Sequence, residues 1–195
     1  MSHKIMNFLI IIIVMIISLF FILTLFFQEF LAATTADYHI HDGNKLLTIN
    51  KYEDALASFN YALEYKKQHP SALIGRAIAL LHQEKYIVAE KQLTLIINLL
   101  TRKSNPISKS ETNTLSSAFA NRGIIKDRKR KYKEALDDYI VALRIETNVN
   151  DFDKISLERY PPSTIRNRAI YLKKQIEKPP GMRSLKIPRI TYNKQ

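Results

Sequence analysis

Two stretches of the chain, "KYEDALASFNYAL" at Lys51–Leu63 and "KYKEALDDYIVAL" at Lys131–Leu143, follow one pattern. Both read Lys-Tyr, then Ala-Leu, then an aromatic residue, then Ala-Leu, at identical spacing. Because residues three and four apart lie on one face of a helix, each stretch predicts an amphipathic helix that begins near its tyrosine. The match between them indicates an internal repeat, and an internal repeat decides the fold.

A third copy emerges when the chain is aligned on Ala55, Ala89 and Ala135. Each alanine follows a tyrosine by three residues and precedes large apolar and then small or aliphatic residues by four and seven. These residues are Tyr52, Phe59 and Ala62, then Tyr86, Leu93 and Ile96, then Tyr132, Tyr139 and Ala142. Twelve residues before the alanines stand Gly43, Ala77 and Gly123, which let two helix backbones approach closely. Each block therefore predicts two antiparallel helices that pack where the small residue meets the large one.

The period of this repeat is 34 residues between Ala55 and Ala89. The interval from Ala89 to Ala135 is 46 residues, which is one period plus an insert of 12. The insert is "TRKSNPISKSET" at Thr101–Thr112, a polar stretch with a proline, which predicts a loop.

A helix-turn-helix period of this length with this skeleton resembles the tetratricopeptide repeat family over about residues 38–147. The second block is looser, and Asn50, Glu84 and Arg130 stand where the family usually has glycine between its paired helices. The resemblance implies an all-α fold, a short α-solenoid of about three repeats. An unrelated helical bundle behind an anchor is the alternative.

A C-terminal capping helix is predicted by a fourth, partial match. "PSTIRNRAIYLK" at Pro162–Lys173 repeats "PSALIGRAIALL" at Pro70–Leu81 in its Pro-Ser, Arg-Ala-Ile and Leu positions, and "KPPGM" ends it. A lone terminal helix covers the last exposed core face of a solenoid, so it favours solubility.

A membrane-spanning helix is predicted near the N-terminus, where Phe8–Phe27 reads "FLIIIIVMIISLFFILTLFF" without a charge. Twenty residues at 1.5 Å each span the hydrocarbon core of a bilayer. Two alternatives are a signal peptide cleaved near Ala33 or Ala36 and a buried core helix. Lys4 before the stretch and acidic residues after it favour a cytoplasm-like side for the N-terminus.

These patterns divide the chain into ten segments. They are a short N-terminal segment (1–7), the transmembrane helix (8–27), a linker (28–37), the first repeat (38–69), the second repeat (70–100), the loop insert (101–112), the third repeat (113–147), a second linker (148–161), the capping helix (162–178) and a basic tail (179–195).

The family resemblance implies a partner-binding groove lined by the first helix of each pair. By matched position its residues are Ile40, Asn44, Leu47, Thr48, Ile74, Ile78, Leu81, His82, Ala120, Ile124, Asp127 and Arg128. Such a groove is mainly apolar with a basic end, and it suits an amphipathic helix or an extended peptide. The family's carboxylate clamp for acidic C-terminal peptides is not expected, because Asn44 fits it whereas Ile40, Gly75 and Ser117 do not.

A basic patch lies in "KDRKRKYK" within the third block, and the whole chain carries a net charge of +12. Its cations are Lys126, Arg128, Lys129, Arg130, Lys131 and Lys133. The patch reads either as a solvated turn or as a contact for anionic lipid headgroups or an acidic partner. A nucleic-acid partner is not favoured, since a basic run alone is unspecific.

No catalytic constellation is visible in the sequence. It has four scattered glycines, no phosphate-binding loop and no cysteine. "HIHDG" at His39–Gly43 is a weak metal signal, because residues two apart do not share a helix face. We expect neither an enzyme nor a cofactor or metal site.

These features together predict an integral, single-pass membrane protein that serves as an interaction scaffold or assembly factor. A narrower resemblance is to the small membrane-anchored repeat proteins that assist photosystem I assembly in cyanobacterial and plastid thylakoids. That resemblance implies photosystem I subunits as partners. The alternatives are a bacterial inner-membrane protein of envelope assembly or secretion and an anionic-lipid-binding module.

Overall fold

The computed structural model describes residues 3–103, 107–147 and 164–185, with backbone alone for residues 3–5. Within these ranges the chain forms helices and no strand, which confirms the all-α prediction for the described residues. The helices are α1 (His3–Thr48), α2 (Tyr52–Tyr65), α3 (Pro70–His82), α4 (Tyr86–Thr101), α5 (Lys109–Arg128), α6 (Tyr132–Thr147), α7 (Thr164–Glu177) and a 3-10 helix (Pro180–Met182).

The first compact unit ends at His69 and contains α1 and α2. The C-terminal part of α1 packs against α2, and a Cβ added to Gly43 would lie 2.8 Å from the Phe59 ring. At the two positions that directly precede Gly43 and Phe59, the Ser58 hydroxyl donates a hydrogen bond to Asp42 Oδ2 at 2.7 Å. This is the predicted meeting of small and aromatic residues.

The second compact unit begins at Pro70 and contains α3 to α7. Helix α3 pairs with α4, and α5 pairs with α6. A Cβ on Gly123 would lie 2.7 Å from the Tyr139 ring and 3.2 Å from the Ala135 carbonyl oxygen, so the helices of the last pair meet at this glycine. In the α3/α4 pair Ala77 and Leu93 are fully buried, as their places in the pattern predict.

The turns inside the three helix pairs share one conformation. Asn50, Glu84 and Arg130 adopt left-handed backbone with φ of 60°, 60° and 62°. In each turn this residue's N–H bonds to the carbonyl three residues back, and the next N–H bonds to the carbonyl five residues back. Both bonds define a Schellman motif, which satisfies the last carbonyls of the first helix.

A polar pair joins the two helices of every block at a separation of 16 residues. The three pairs are Asp42–Ser58, Arg76–Gln92 and Arg122–Asp138. Arg122 binds Asp138 with two hydrogen bonds, from Nε at 2.9 Å and from an Nη atom at 2.7 Å. These partly buried pairs fix the register of each pair beside its small-residue contact.

The predicted capping helix corresponds to α7. Ala169 and Leu172 are fully buried in one cluster with Ala135, Tyr139 and Leu143 of α6. A lone helix thus covers the apolar face of the last pair, as the sequence predicts. The predicted linker 148–161 and residues 162 and 163 of the predicted cap lie outside the described residues.

Two predicted boundaries differ from the structure. The segment 28–37, predicted as a linker, is helical within α1, because residues 1–42 contain no Gly or Pro and both Thr34 and Thr35 bond back to helix carbonyls. The insert 101–112 is partly helical, since α5 begins at Lys109. There Ser108 and Glu111 form a capping box, which begins the helix inside the insert. The basic tail is described as far as Leu185.

Candidate functional site

The predicted groove residues of the first unit lie on α1. Ile40 is buried at 8% exposure, Leu47 is half-buried, and Asn44 and Thr48 are exposed. Ile40 therefore packs inside the unit, whereas the side chains of Asn44 and Thr48 are open to a partner.

The predicted groove residues of the second unit lie on α3 and α5, which pack against each other. Ile74 and Ile78 of α3 are half-buried, so part of each side chain is available for contact, whereas the half-buried Ile124 of α5 packs against the cluster of α6 and α7. His82 and Arg128 are exposed at the helix ends. Helix α3 thus supplies partly exposed aliphatic side chains, and Arg128 at the end of α5 supplies a positive charge.

Three other predicted groove residues are buried and belong to the scaffold. Leu81 and Ala120 are 5% and 6% exposed, and Asp127 is 4% exposed. They support the surface from behind and do not line it. Sequence alignment placed them correctly along the helix but did not show which neighbouring helix covers them.

Asp127 forms a buried ion pair with Arg168 of α7. Arg168 donates from Nε to Oδ2 at 2.6 Å and from an Nη atom to Oδ1 at 2.7 Å. The Tyr139 hydroxyl lies 3.4 Å from the same carboxylate, and burial raises the pKa of Tyr139. Asp127 is therefore a structural link between α5 and the cap.

Three of the six cations of the basic patch lie beside acidic groups. Lys126 lies 2.9 Å from Asp138, Lys129 lies 2.5 Å from Glu90, and Lys131 lies 3.3 Å from Glu134. The patch is therefore a set of local ion pairs and not a free cluster of six cations.

Two members of the patch have other surroundings. Arg128 lies over the Tyr86 ring at 5.4 Å and donates to its hydroxyl at 2.6 Å. Arg130 occupies the left-handed turn position, and with Lys133, Arg183 and Ile176 it lines a depression of about 250 Å³. Cationic side chains and one acid, Glu134, therefore line this depression together.

The apolar part of α1 is the other exposed feature of the first unit. Almost every apolar side chain from Met6 to Leu31 faces solvent, and Phe20 and Phe26 are 68% and 70% exposed. The helix is long and apolar enough to cross a membrane by length and composition. Protein covers none of its most apolar window, which disagrees with a buried core helix, whereas a signal sequence has the same length and composition.

His39 and Asp42 of "HIHDG" make separate contacts with α2. His39 stacks on Tyr65 with ring centroids 6.2 Å apart, and Asp42 accepts the Ser58 bond. Across residues 3–103, 107–147 and 164–185 no three His, Asp or Glu side chains come together in a metal-binding group.

Sequence reasoning missed the pair of Asp127 with Arg168 and the polar pairs 16 residues apart. The pairs had a readable signal, since polar residues precede each small first-helix residue by one position in all three blocks. Arg168 occupies that same position before Ala169 of the cap. No such signal identified Asp127 as the partner of Arg168, because these two residues are 41 positions apart and not 16.

Three solved structures that are similar to the chain are TPR domains. The first TPR domain of Spaghetti (RPAP3), bound to the HSP90 peptide SRMEEVD, has a TM-score of 0.53 at 20% identity and covers 74% of this chain and 94% of that domain. The TPR domain of Arabidopsis OM64 has a TM-score of 0.54 at 19% identity, covering 73% and 98%. The second TPR domain of human RPAP3, in complex with the HSP70 peptide SGPTIEEVD, has a TM-score of 0.50 at 23% identity, covering 77% and 99%. No protein-family model and no curated protein sequence matches the chain.

Proposed function

We propose that this chain, which has the fold of tetratricopeptide repeat domains, is a non-enzymatic protein-interaction scaffold held at a membrane by α1. The observation that carries the proposal is the direct continuation of an exposed apolar helix into the first helix of a repeat pair. A single helix thereby connects the proposed membrane anchor to the proposed partner-binding repeats. Holding partners at one surface raises their effective concentration without any further contact.

The repeat fold supports the scaffold part of the proposal. The similar domains of RPAP3 are bound to peptides of HSP90 and HSP70 in their solved structures. In this chain α3 carries Ile74 and Ile78, which are half-buried and therefore partly open to contact. Such a surface suits the apolar side of an amphipathic helix or an extended peptide better than an acidic tail.

The membrane part of the proposal rests on the exposure of the apolar side chains of α1. Exposing about twenty large apolar side chains to water is unfavourable by roughly 25 cal/mol for each Å² of apolar surface, so the segment requires a covering. The hydroxyls of Ser18 and Thr24 bond to helix carbonyls, which satisfies them inside hydrocarbon. A bilayer covers every face of the segment at once.

A narrower proposal places the chain in thylakoids, where it assists photosystem I assembly. It rests on the association of a single N-terminal span with a short repeat array in the small photosystem I assembly proteins. The partners would then be photosystem I subunits. A chain in a bacterial inner membrane would instead hold envelope or secretion proteins.

Membrane fractionation tests the anchoring. The full chain should stay in the pellet after alkaline carbonate extraction, whereas the Ile17→Lys/Phe21→Lys variant should be released. Each lysine near the centre of a span costs about 3 kcal/mol on insertion scales. A Gln28→Lys variant is the matched control, and it should remain in the pellet. Release of the unaltered chain would remove the proposed anchor.

A pull-down in mild detergent, with mass spectrometry of the bound proteins, tests the partners. Recovery of photosystem I subunits supports the narrower proposal, and recovery of only envelope or secretion proteins removes it. Ile74→Glu/Ile78→Glu places charges on the half-buried aliphatic positions of α3 and should reduce recovery, with circular dichroism to confirm that the helices are formed. Retention of every partner by that folded variant would contradict binding through α3.

A further inference from the structure

Three exposed tyrosines gather around His39 in the first unit. Tyr38, Tyr61 and Tyr65 are 68%, 53% and 49% exposed. Their ring centroids lie 5.3, 5.5 and 6.2 Å from that of His39. We name these four residues the tyrosine cluster.

The cluster lies at the end of the helix pair that is nearest the apolar part of α1. The contacts between α1 and α2 run antiparallel, with Asp42 opposite Ser58 and His39 opposite Tyr61 and Tyr65. His69, just beyond α2, lies 3.7 Å from Asp37. The C-terminal end of α2 therefore returns toward the apolar segment.

Geometry along α1 sets the height of the cluster above that segment. The exposed apolar run from Met6 to Leu31 is about 38 Å long, more than a hydrocarbon core of about 30 Å, so α1 tilts when the whole run is covered and Leu31 then lies at the edge of the core. Tyr38 follows Leu31 by seven positions, which is about 10 Å along the helix axis and less along the normal of the bilayer. Helical side chains lean toward the N-terminus, which brings the Tyr38 ring closer to the apolar segment. The headgroup region of a bilayer is roughly 5–7 Å thick on each side, so the ring reaches this layer.

The chemistry of the cluster matches a headgroup layer. Tyrosine combines an apolar ring with a polar hydroxyl, and membrane proteins concentrate it at both membrane–water interfaces. Lys66 and Lys67 follow α2 directly, and their aliphatic stems can lie along apolar surface while the ammonium groups stay hydrated. The exposed acids Asp37 and Glu64 balance these two charges, so attraction to anionic lipid is not the main force.

We propose that the tyrosine cluster, with Lys66 and Lys67, docks on the headgroup layer of the bilayer that α1 crosses. This inference rests on the proposed membrane anchoring. Docking holds the first helix pair against the membrane by its α2 C-terminal end. The turn at Asn50 then points away from the bilayer, because it forms the opposite end of the same pair.

The absence of tryptophan from the sequence makes a direct test available. Single-tryptophan variants of the full chain are reconstituted in phosphatidylcholine vesicles that carry a quencher either at the headgroup or in the middle of the acyl chains. Tyr38→Trp and Tyr65→Trp report on the cluster from two different helices. Ile49→Trp is the matched control, since Ile49 is 54% exposed in the turn that directly follows α1 and lies about 16 Å farther along the axis than Tyr38. Phe20→Trp reports on the span itself.

The headgroup quencher should remove roughly half of the emission of the Tyr38→Trp and Tyr65→Trp variants and much less from Ile49→Trp. Equal, weak quenching of all three would overturn the docking, and strong mid-chain quenching of Phe20→Trp in that same set would leave the anchoring intact. Absence of mid-chain quenching in Phe20→Trp would instead remove the anchoring and the docking together. Circular dichroism of each variant confirms that its helices are formed.

Discussion

At the scale of single residues, the turns inside the helix pairs retain a conformation that suits glycine. Asn50, Glu84 and Arg130 all have φ near 60°. Asparagine tolerates this region, whereas a longer side chain without a local hydrogen bond is strained there by roughly 1–2 kcal/mol. The packing of each helix pair therefore imposes the left-handed turn even on residues that disfavour it.

Replacing Glu84 with glycine should stabilise the protein. The left-handed strain is relieved, and part of the gain is offset by the greater entropy of glycine in the unfolded chain, which leaves about 0.5–1 kcal/mol. Urea unfolding in mild detergent, followed by circular dichroism, measures the change. Glu84→Ala keeps a Cβ at the same φ and should give no gain, so equal stabilisation by both variants would contradict this explanation.

Gly123→Ala should destabilise the protein by roughly 1–3 kcal/mol, because the added methyl meets the Tyr139 ring at 2.7 Å. Adding Tyr139→Leu recreates the Ala77 and Leu93 combination of the second block and should recover part of the loss. Gly181→Ala is the control, since a Cβ there meets nothing within 4 Å. Thermal unfolding compares the variants, and an unchanged midpoint for Gly123→Ala would contradict the close contact.

At the scale of elements, α7 is held by a charge pair as well as by apolar packing. Asp127 and Arg168 are both nearly fully buried, and Arg168 binds the carboxylate with two hydrogen bonds. Leu172 and Ala169 supply the apolar contact beside them. The pair selects which helix caps the last repeat, since a helix without the arginine would leave Asp127 charged and unsatisfied.

Arg168→Met should therefore destabilise the protein by about 3–5 kcal/mol, because one buried charge loses its partner. The double variant Asp127→Leu/Arg168→Met removes both charges and should regain much of that loss. Chemical unfolding of the two single variants and the double variant gives the coupling between the residues. Simple additivity of the single effects would show that the pair is not coupled.

The N-terminus of α5 should respond to acid through Glu111. A hydrogen bond from Lys103 and a second from the Ser108 backbone lower the pKa of this carboxyl from 4.5 to about 2. Because the folded pKa is depressed, this contribution to stability is complete above about pH 4.5 and is lost as the pH falls toward about 2.

Amide hydrogen exchange in the first turn of α5, measured across this pH range, tests the response after correction for intrinsic exchange rates. The unaltered chain should lose protection as the pH falls. Glu111→Gln should be less protected at neutral pH and should lack the acid-dependent step in this range. An identical step in both proteins would exclude Glu111 as its cause.

At the scale of the whole molecule, a net charge of +12 does not translate into an open basic surface at the third turn. Lys126, Lys129 and Lys131 lie beside acidic side chains, and Arg128 lies over Tyr86. Pairing of this kind weakens the attraction of the turn for a charged surface, and physiological salt screens what is left. The apolar segment of α1 is then the stronger membrane-binding feature.

Reversing the charges of Arg128, Lys129 and Arg130 to glutamate should therefore leave association of the full chain with anionic vesicles unchanged. Flotation of vesicles with and without anionic lipid measures this association, and the Ile17→Lys/Phe21→Lys variant provides the comparison that lacks the anchor. A loss of binding confined to anionic vesicles after charge reversal would favour the lipid-binding reading of the patch.

The sequence predicted most of the fold because the repeat depends on the spacing of residues within each helix. Tyr52, Ala55 and Phe59 recur at helical intervals, and Gly43 and Gly123 meet aromatic rings as their positions predict. The groove residues were placed less completely, since Asp127 and Leu81 are buried. A position on a helix follows from periodicity, but its burial depends on which neighbouring element covers it.

By itself the sequence determined the helical repeat, the apolar segment and the capping helix, because each depends on side-chain spacing within one helix. Tertiary structure alone decided that Asp127 pairs with Arg168 and that cations of the basic run meet Asp138 and Glu90. It also brought Tyr61 and Tyr65 to His39. These contacts join residues on different helices, and their partners are fixed only when packing sets the register of one helix against another.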